Sequence, residues 1–205
     1  MTTLDNQFKE LLKDNNIKKL YNDKNEVNGP IKYILNYKTY IKIYKKLFLK
    51  YNLKNKKVID FGCGPAFSVY VGKFLFNLDI SGIDIHKNSG SNDFIYEYIH
   101  NVLNINKYIN HYDGININNI VDKYDVIICY WSFLFDYSNE YGKSNYIYPT
   151  NTNGKELLIK KIKLLLSISN YNSHWIISPP KFWNKDIDSI FNNYNNKNIK
   201  LILEK

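Results

Sequence analysis

The chain contains no arginine: all 28 of its basic residues are lysine, set against 19 acids for a formal charge of +9. Without Arg it lacks the planar fork that clamps phosphates bidentately and reads guanine edges. Alanine occurs once, at Ala66, whereas Lys, Asn, Ile and Tyr are abundant, and all four have A/T-rich codons. Two readings of the charge stay open: compositional bias, and a polyanionic partner such as nucleic acid. Cysteine is scarce as well. Two Cys make no disulfide framework, so a reducing, cytoplasmic compartment is expected. No apolar run approaches the roughly 18–20 residues of a membrane span, because Lys or Asn interrupts each one. Residues Met1 to Asp5 have neither a basic start nor an apolar stretch, so neither a secretory signal nor a membrane partner is expected. The four His form no His-x-x-x-His pair and accompany no Cys pair, so no metal site is expected, and His111 and His174 read as structural.

What is present fits one globular domain. A length of 205 residues suffices for a core without staples, and 44% hydrophobic with 23% charged residues excludes wholesale disorder. Apolar spacing predicts helices over 4–20 and 31–51; the Tyr of the second (Tyr33, Tyr37, Tyr40, Tyr44) read as core or as the lining of a substrate mouth. From residue 57 strands and helices alternate. Strands are expected at 57–61, 79–85, 108–112, 124–130, 174–178 and 199–203, and helices at 67–76, 92–103, 155–169 and 185–193. A polar, Tyr-rich loop is expected over 138–153. Alternation of this kind predicts an α/β, Rossmann-like, doubly wound domain with a mostly parallel sheet flanked by helices. A helical N-terminal extension (1–53), as substrate lid or packing element, precedes a core at 54–205. A single strand is expected after the last helix. Its apolar edge would invite a second copy or a partner subunit.

The chemistry lies in the first strand–helix turn, Asp60-Phe61-Gly62-Cys63-Gly64-Pro65-Ala66. Small residues there let the backbone approach a ligand, and a helix N-terminus follows. Asp84, 22 positions beyond Gly62, ends the next strand, near the spacing of about 20 at which an acid holds a ribose. Phe67 occupies the last glycine position of the dinucleotide fingerprint, which disfavours NAD and FAD. A carboxylate in this turn suits a ligand bearing an ammonium instead of a pyrophosphate.

These residues resemble motif I of the class I S-adenosylmethionine (SAM)-dependent methyltransferases, Asp/Glu-x-Gly-x-Gly-x-Gly, with Ala66 in place of the last Gly. The resemblance covers roughly residues 56–180 and implies SAM as cofactor; it also implies a closing antiparallel hairpin, which the single strand 199–203 would leave shortened or completed by a partner chain. It implies Gly62, Gly64 and Pro65 around the methionine part, Asp60 on its amino end, Asp84 on the ribose, and Ile85 and Asp113 at the adenine. Residues leaving the fourth strand, Tyr130 first, would face the methyl group. The fold places Cys63 and Cys129 at the same end of neighbouring strands, where both are expected as thiols.

Candidates for the acceptor side come from the loops above the strand ends: Tyr130, Trp131, Ser132, Asp136 and Tyr137, with His86 and with Lys181 to Trp183. Asp136 is the leading choice for a base, with Tyr130 as the second catalytic candidate. Ser178-Pro179-Pro180-Lys181-Phe182-Trp183 resembles the Asp/Asn/Ser-Pro-Pro-aromatic signature of amino methyltransferases. Lys181 stands where the aromatic belongs, however, and the motif follows the fifth strand instead of the fourth, so a Pro-Pro strand stop is the preferred reading. The expected activity is methyl transfer to a small molecule, ahead of RNA or DNA, with a non-catalytic binding subunit as the third reading.

Overall fold

The computed structural model describes residues 4–15, 17–18, 31–85, 93–112, 117, 120–130, 135–136, 145–146, 152–179 and 183–204. Its centre is a six-stranded sheet. The strands are β1 (Lys57–Phe61), β2 (Asp79–Ile85), β3 (Ile109–Tyr112), β4 (Tyr124–Tyr130), β7 (Ser169–Ser178) and β8 (Lys200–Leu203), in the order β3-β2-β1-β4-β7-β8. All five pairings are parallel. Val58, Ile59 and Phe61 are buried because a parallel strand is covered on both faces. Val58, Ile80, Val126, Ile128 and Ile176 meet one helical layer. Ile59, Phe61, Ile83, Ile127, Trp175 and Ile177 meet the other.

The first layer holds α1 (Leu4–Leu11), α2 (Ile31–Leu35), α3 (Tyr37–Lys50), α4 (Phe67–Tyr70) and α5 (Asp93–Leu103). Aromatic stacking joins the N-terminal helices to the core: Phe8 lies 4.1 Å from Tyr37 and 6.3 Å from Phe67, ring centre to ring centre. The second layer holds α6 (Thr152–Ser167) and α7 (Lys185–Tyr194). The Asn184 side chain caps α7 by accepting from the Asp186 and Ile187 N–H groups.

Several details depart from the sequence expectations. The helix expected from residue 4 ends at Leu11 before a turn, and the one expected over 31–51 is interrupted at Asn36. The 67–76 helix is α-helical only to Tyr70 and continues as a π turn over Val71–Leu75. The helix expected over 155–169 begins at Thr152 and ends at Ser167, and β7 starts five residues before the expected 174. Ser169 takes part in both: its hydroxyl donates to the Leu165 carbonyl and accepts from the Trp175 indole, while its backbone pairs with Tyr124 across a register shift. Within the expected loop, β5 (Phe135–Asp136) and β6 (Asn145–Tyr146) form a short antiparallel pair. Finally, β8 lies parallel to β7 at the sheet edge, so the last described strand builds no antiparallel hairpin.

Candidate active site

The strand order reverses between β1 and β4, which places a crevice beyond the C-terminal ends of β1, β2 and β4. The turn after β1 fills it. Gly62 and Gly64 have φ of +73° and +49°, in the left-handed region that glycine enters without a Cβ penalty. Ala66 shares that region at φ +53°, so the third position of the motif makes the backbone demand of a glycine while carrying a methyl. The Ile83 carbonyl of β2 accepts from the Gly62 and Cys63 N–H groups at 2.8 and 3.1 Å. The approach of turn to strand is close because residue 82 lacks a side chain. A Cβ there would stand 2.7 Å from Cys63 Sγ and 2.9 Å from Ile109 Cδ1.

The two acids of the motif converge on this turn from different strands. Asp84 accepts from the Gly64 N–H through Oδ2. Asp60 is 1% exposed, and its Oδ2 accepts from the Ser68 hydroxyl at the start of α4. Its Oδ1 is buried and has no hydrogen-bond partner among the described residues. Burial pushes the Asp60 carboxyl up to about 7; the Ser68 hydrogen bond opposes this, and the Asp84 charge adds to it. A buried acceptor of this kind costs free energy unless something completes it, and a cation beside Asp60 would both satisfy Oδ1 and ionise the group.

An aromatic rim surrounds the turn. Tyr96 of α5 lies over Gly64, where a Cβ would meet its ring at 3.6 Å. Tyr33 packs edge-on to Tyr96 at 5.9 Å, and its hydroxyl is held above the usual range by burial, then by Tyr40 and Asp84. Tyr40 stacks on Phe67, and Tyr44 lies 5.8 Å from Tyr130 at the end of β4. Of the four Tyr read as core or as mouth lining, Tyr37 and Tyr44 are core residues, whereas Tyr33 and Tyr40 are half-buried. Burial raises Tyr130 as well, with the Glu204 charge adding to it, so its phenol stays protonated at neutral pH. Cys63 and Cys129 are both buried, and burial holds the Cys63 thiol well above its ordinary value.

Other sequence candidates are less completely placed. Pro65 lies buried in the turn. Ile85 ends β2 and Asp136 stands in β5 opposite Asn145, and for both the description covers the backbone alone. Asp113, His86, Trp131, Ser132, Tyr137, Pro180, Lys181 and Phe182 lie outside the described residues. Ser178 ends β7 opposite Tyr130, and the Trp183 indole donates to Asp188 at 2.9 Å.

Sequence reasoning missed His100 and Ser68. His100 is 4% exposed, and its Nε2 lies 2.8 Å from the Gly64 carbonyl, tying α5 to the turn. The signal was available: Tyr96 and His100 form an i, i+4 pair flanking the buried Ile95, Ile99 and Leu103.

No family model and no curated protein matches the chain significantly. Solved structures do match. Magnesium protoporphyrin IX methyltransferase from Synechocystis PCC 6803, solved with bound SAM, is similar with a TM-score of 0.50 at 18% identity, over 95% of this chain and 87% of that one. An O-methyltransferase family protein from Burkholderia thailandensis gives 0.47 at 8% identity over 80% of this chain; the chain spans 45% of that protein's length. The plantazolicin methyltransferase BpumL, in complex with a pentazolic desmethylPZN analog and S-adenosylhomocysteine (SAH), gives 0.38 at 19% identity over 96% and 71%. Strand order, crossover and structural likeness agree: the chain has the Rossmann-like fold of the class I SAM-dependent methyltransferases.

Proposed function

We propose that this chain binds SAM in the turn between β1 and α4 and transfers its methyl group to an acceptor. One observation carries the reading: Asp60 Oδ1, buried and without a hydrogen-bond partner among the described residues, beneath a turn whose glycines bring no Cβ. That arrangement fits an amino group and would repel a pyrophosphate. When bound, SAM supplies an electrophilic methyl on a sulfonium sulfur.

The chain's own residues supply position and charge. Asp60 takes the ammonium and ionises as it does so. Asp84 keeps the Gly64 N–H on one oxygen and offers carboxylate acceptor capacity to ribose hydroxyls. His100 holds the turn from behind through the Gly64 carbonyl. Ile85 and Asp113 are assigned to the adenine, and Asp136 remains the candidate base. Tyr130, kept protonated, orients an acceptor by donation. Half-buried Tyr33, Tyr40 and Tyr130 favour an acceptor group small enough to enter among them, whether free or carried on a larger molecule. The outer edge of β8, unpaired among the described residues, is the proposed contact for a second copy or a partner subunit.

The test is transfer of labelled methyl from SAM to fractionated metabolites, RNA and protein, with wild type and Asp60→Asn. Label in one fraction that the variant fails to produce supports the proposal. Tight SAH binding without transfer to any fraction overturns the catalytic part and leaves a binding subunit.

A further inference from the structure

The positive charge is not spread over the molecule. Residues 27–59 contain nine lysines and no acid, while the rest of the chain carries 19 lysines against 19 acids. The whole excess of +9 therefore belongs to one segment. Codon bias enriches lysine along an entire chain; it does not remove Asp and Glu from one segment while both persist on either side.

From Ile31 on, this segment folds as α2 and α3 and leads into β1. The apolar side of α3 is used up inside: Tyr37, Tyr44, Leu47 and Phe48 are buried. On its outer side Lys38, Lys42, Lys45 and Lys46 are exposed. At about 100° per residue these four fall within a sector of about 100° on a helix about 20 Å long. Lys38 pairs with Asp5 at the surface, whereas Lys42, Lys45 and Lys46 make no ion pair among the described residues. Tyr44, on the inner side of the same helix, stands beside Tyr130, so α3 faces the candidate site with one side and carries the lysine stripe on the other.

We propose that this lysine face docks the phosphodiester backbone of a nucleic-acid strand. Lys presents point charges without the Arg fork, which suits backbone contacts that ignore base identity. An anionic membrane fits less well, because interfacial binding needs an apolar helix face to insert and that of α3 is already in the core. The inference does not depend on the cofactor reading.

Fluorescence anisotropy of the full chain with a labelled 12-nucleotide single-stranded RNA, from 50 to 200 mM NaCl, tests it. Four phosphate contacts at about 0.7 counterions each predict a log–log slope near −3 and about 50-fold weaker binding across that range, for mixed and homopolymeric sequences alike. Lys42→Gln, Lys45→Gln and Lys46→Gln together should reduce the slope by about 2. The same loss of charge at exposed Lys160, Lys163 and Lys185 should leave affinity within about twofold. SAH affinity of the first triple variant should be unchanged, which separates failure of docking from failure of the cofactor site. Absence of RNA binding at 50 mM, equal loss in both triple variants, or tighter binding to phosphatidylserine vesicles than to RNA would overturn the proposal.

Discussion

Replacing Asp60 by Asn tests the buried carboxyl directly, because the amide keeps the shape and removes the titration. Folded, the carboxyl keeps its proton up to about pH 7, whereas an ordinary aspartate loses it near 3.8. Between those values the folded chain binds more protons than the unfolded one, so stability falls as pH rises. Folding carries no such penalty below 3.8. The penalty then grows at about 1.36 kcal/mol per pH unit and levels off above about 7, at no more than about 4 kcal/mol. Asn carries none of it. The stability of Asp60→Asn relative to wild type should therefore rise by about 2–3 kcal/mol between pH 5 and pH 8. Urea unfolding followed by far-UV circular dichroism at the two pH values reads that difference. A variant whose relative stability is constant with pH, or moves the opposite way, would refute the argument that burial holds Asp60 protonated.

The same linkage predicts ligand behaviour: SAH affinity should increase as pH rises towards about 7, by up to about tenfold per unit, and calorimetry of Asp60→Asn should lose that dependence. Gly82→Ala forces a Cβ to within 2.7 Å of Cys63 Sγ and should lower stability by about 1–3 kcal/mol in thermal denaturation. Ala66→Gly relieves a left-handed alanine, by about 1 kcal/mol, and removes a fully buried methyl worth about 0.8 kcal/mol, so its melting temperature should barely move. His100→Ala leaves the Gly64 carbonyl without its imidazole and should cost about 1–3 kcal/mol of stability, with weakened SAH binding as the readout that places His100 behind the turn.

How much of this was legible beforehand depended on whether local pattern or tertiary pairing decided each element. Strands β1, β2 and β4 fall where the apolar runs 57–61, 79–85 and 124–130 put them, because central parallel strands must be apolar on both faces. The Gly-x-Gly turn and its two acids were legible for the same reason: each meets a backbone or charge demand that few residues satisfy. The start of β7 was not. Ser169 to Ser173 is polar and includes Asn172 at φ +58°, and it is extended because Ser169 and Tyr124 pair across a register shift. The parallel placement of β8 was equally hidden, since four residues of strand pattern specify no direction. Contacts such as Ser68 to Asp60 and His100 to Gly64 join residues from separate elements. Only the Tyr96–His100 pairing on one helix hinted at them.

The central claim is that the turn after β1 is a SAM site completed by Asp60 and Asp84. Isothermal titration of SAM, SAH and NAD into wild type and Asp84→Asn tests it most directly, because the amide can still accept from the Gly64 N–H. Both sulfur ligands should bind wild type and NAD should not, and Asp84→Asn should weaken them by about 10- to 100-fold, the loss of one charge-assisted hydrogen bond. Failure of both sulfur ligands to bind, or an affinity untouched in Asp84→Asn, would contradict the account.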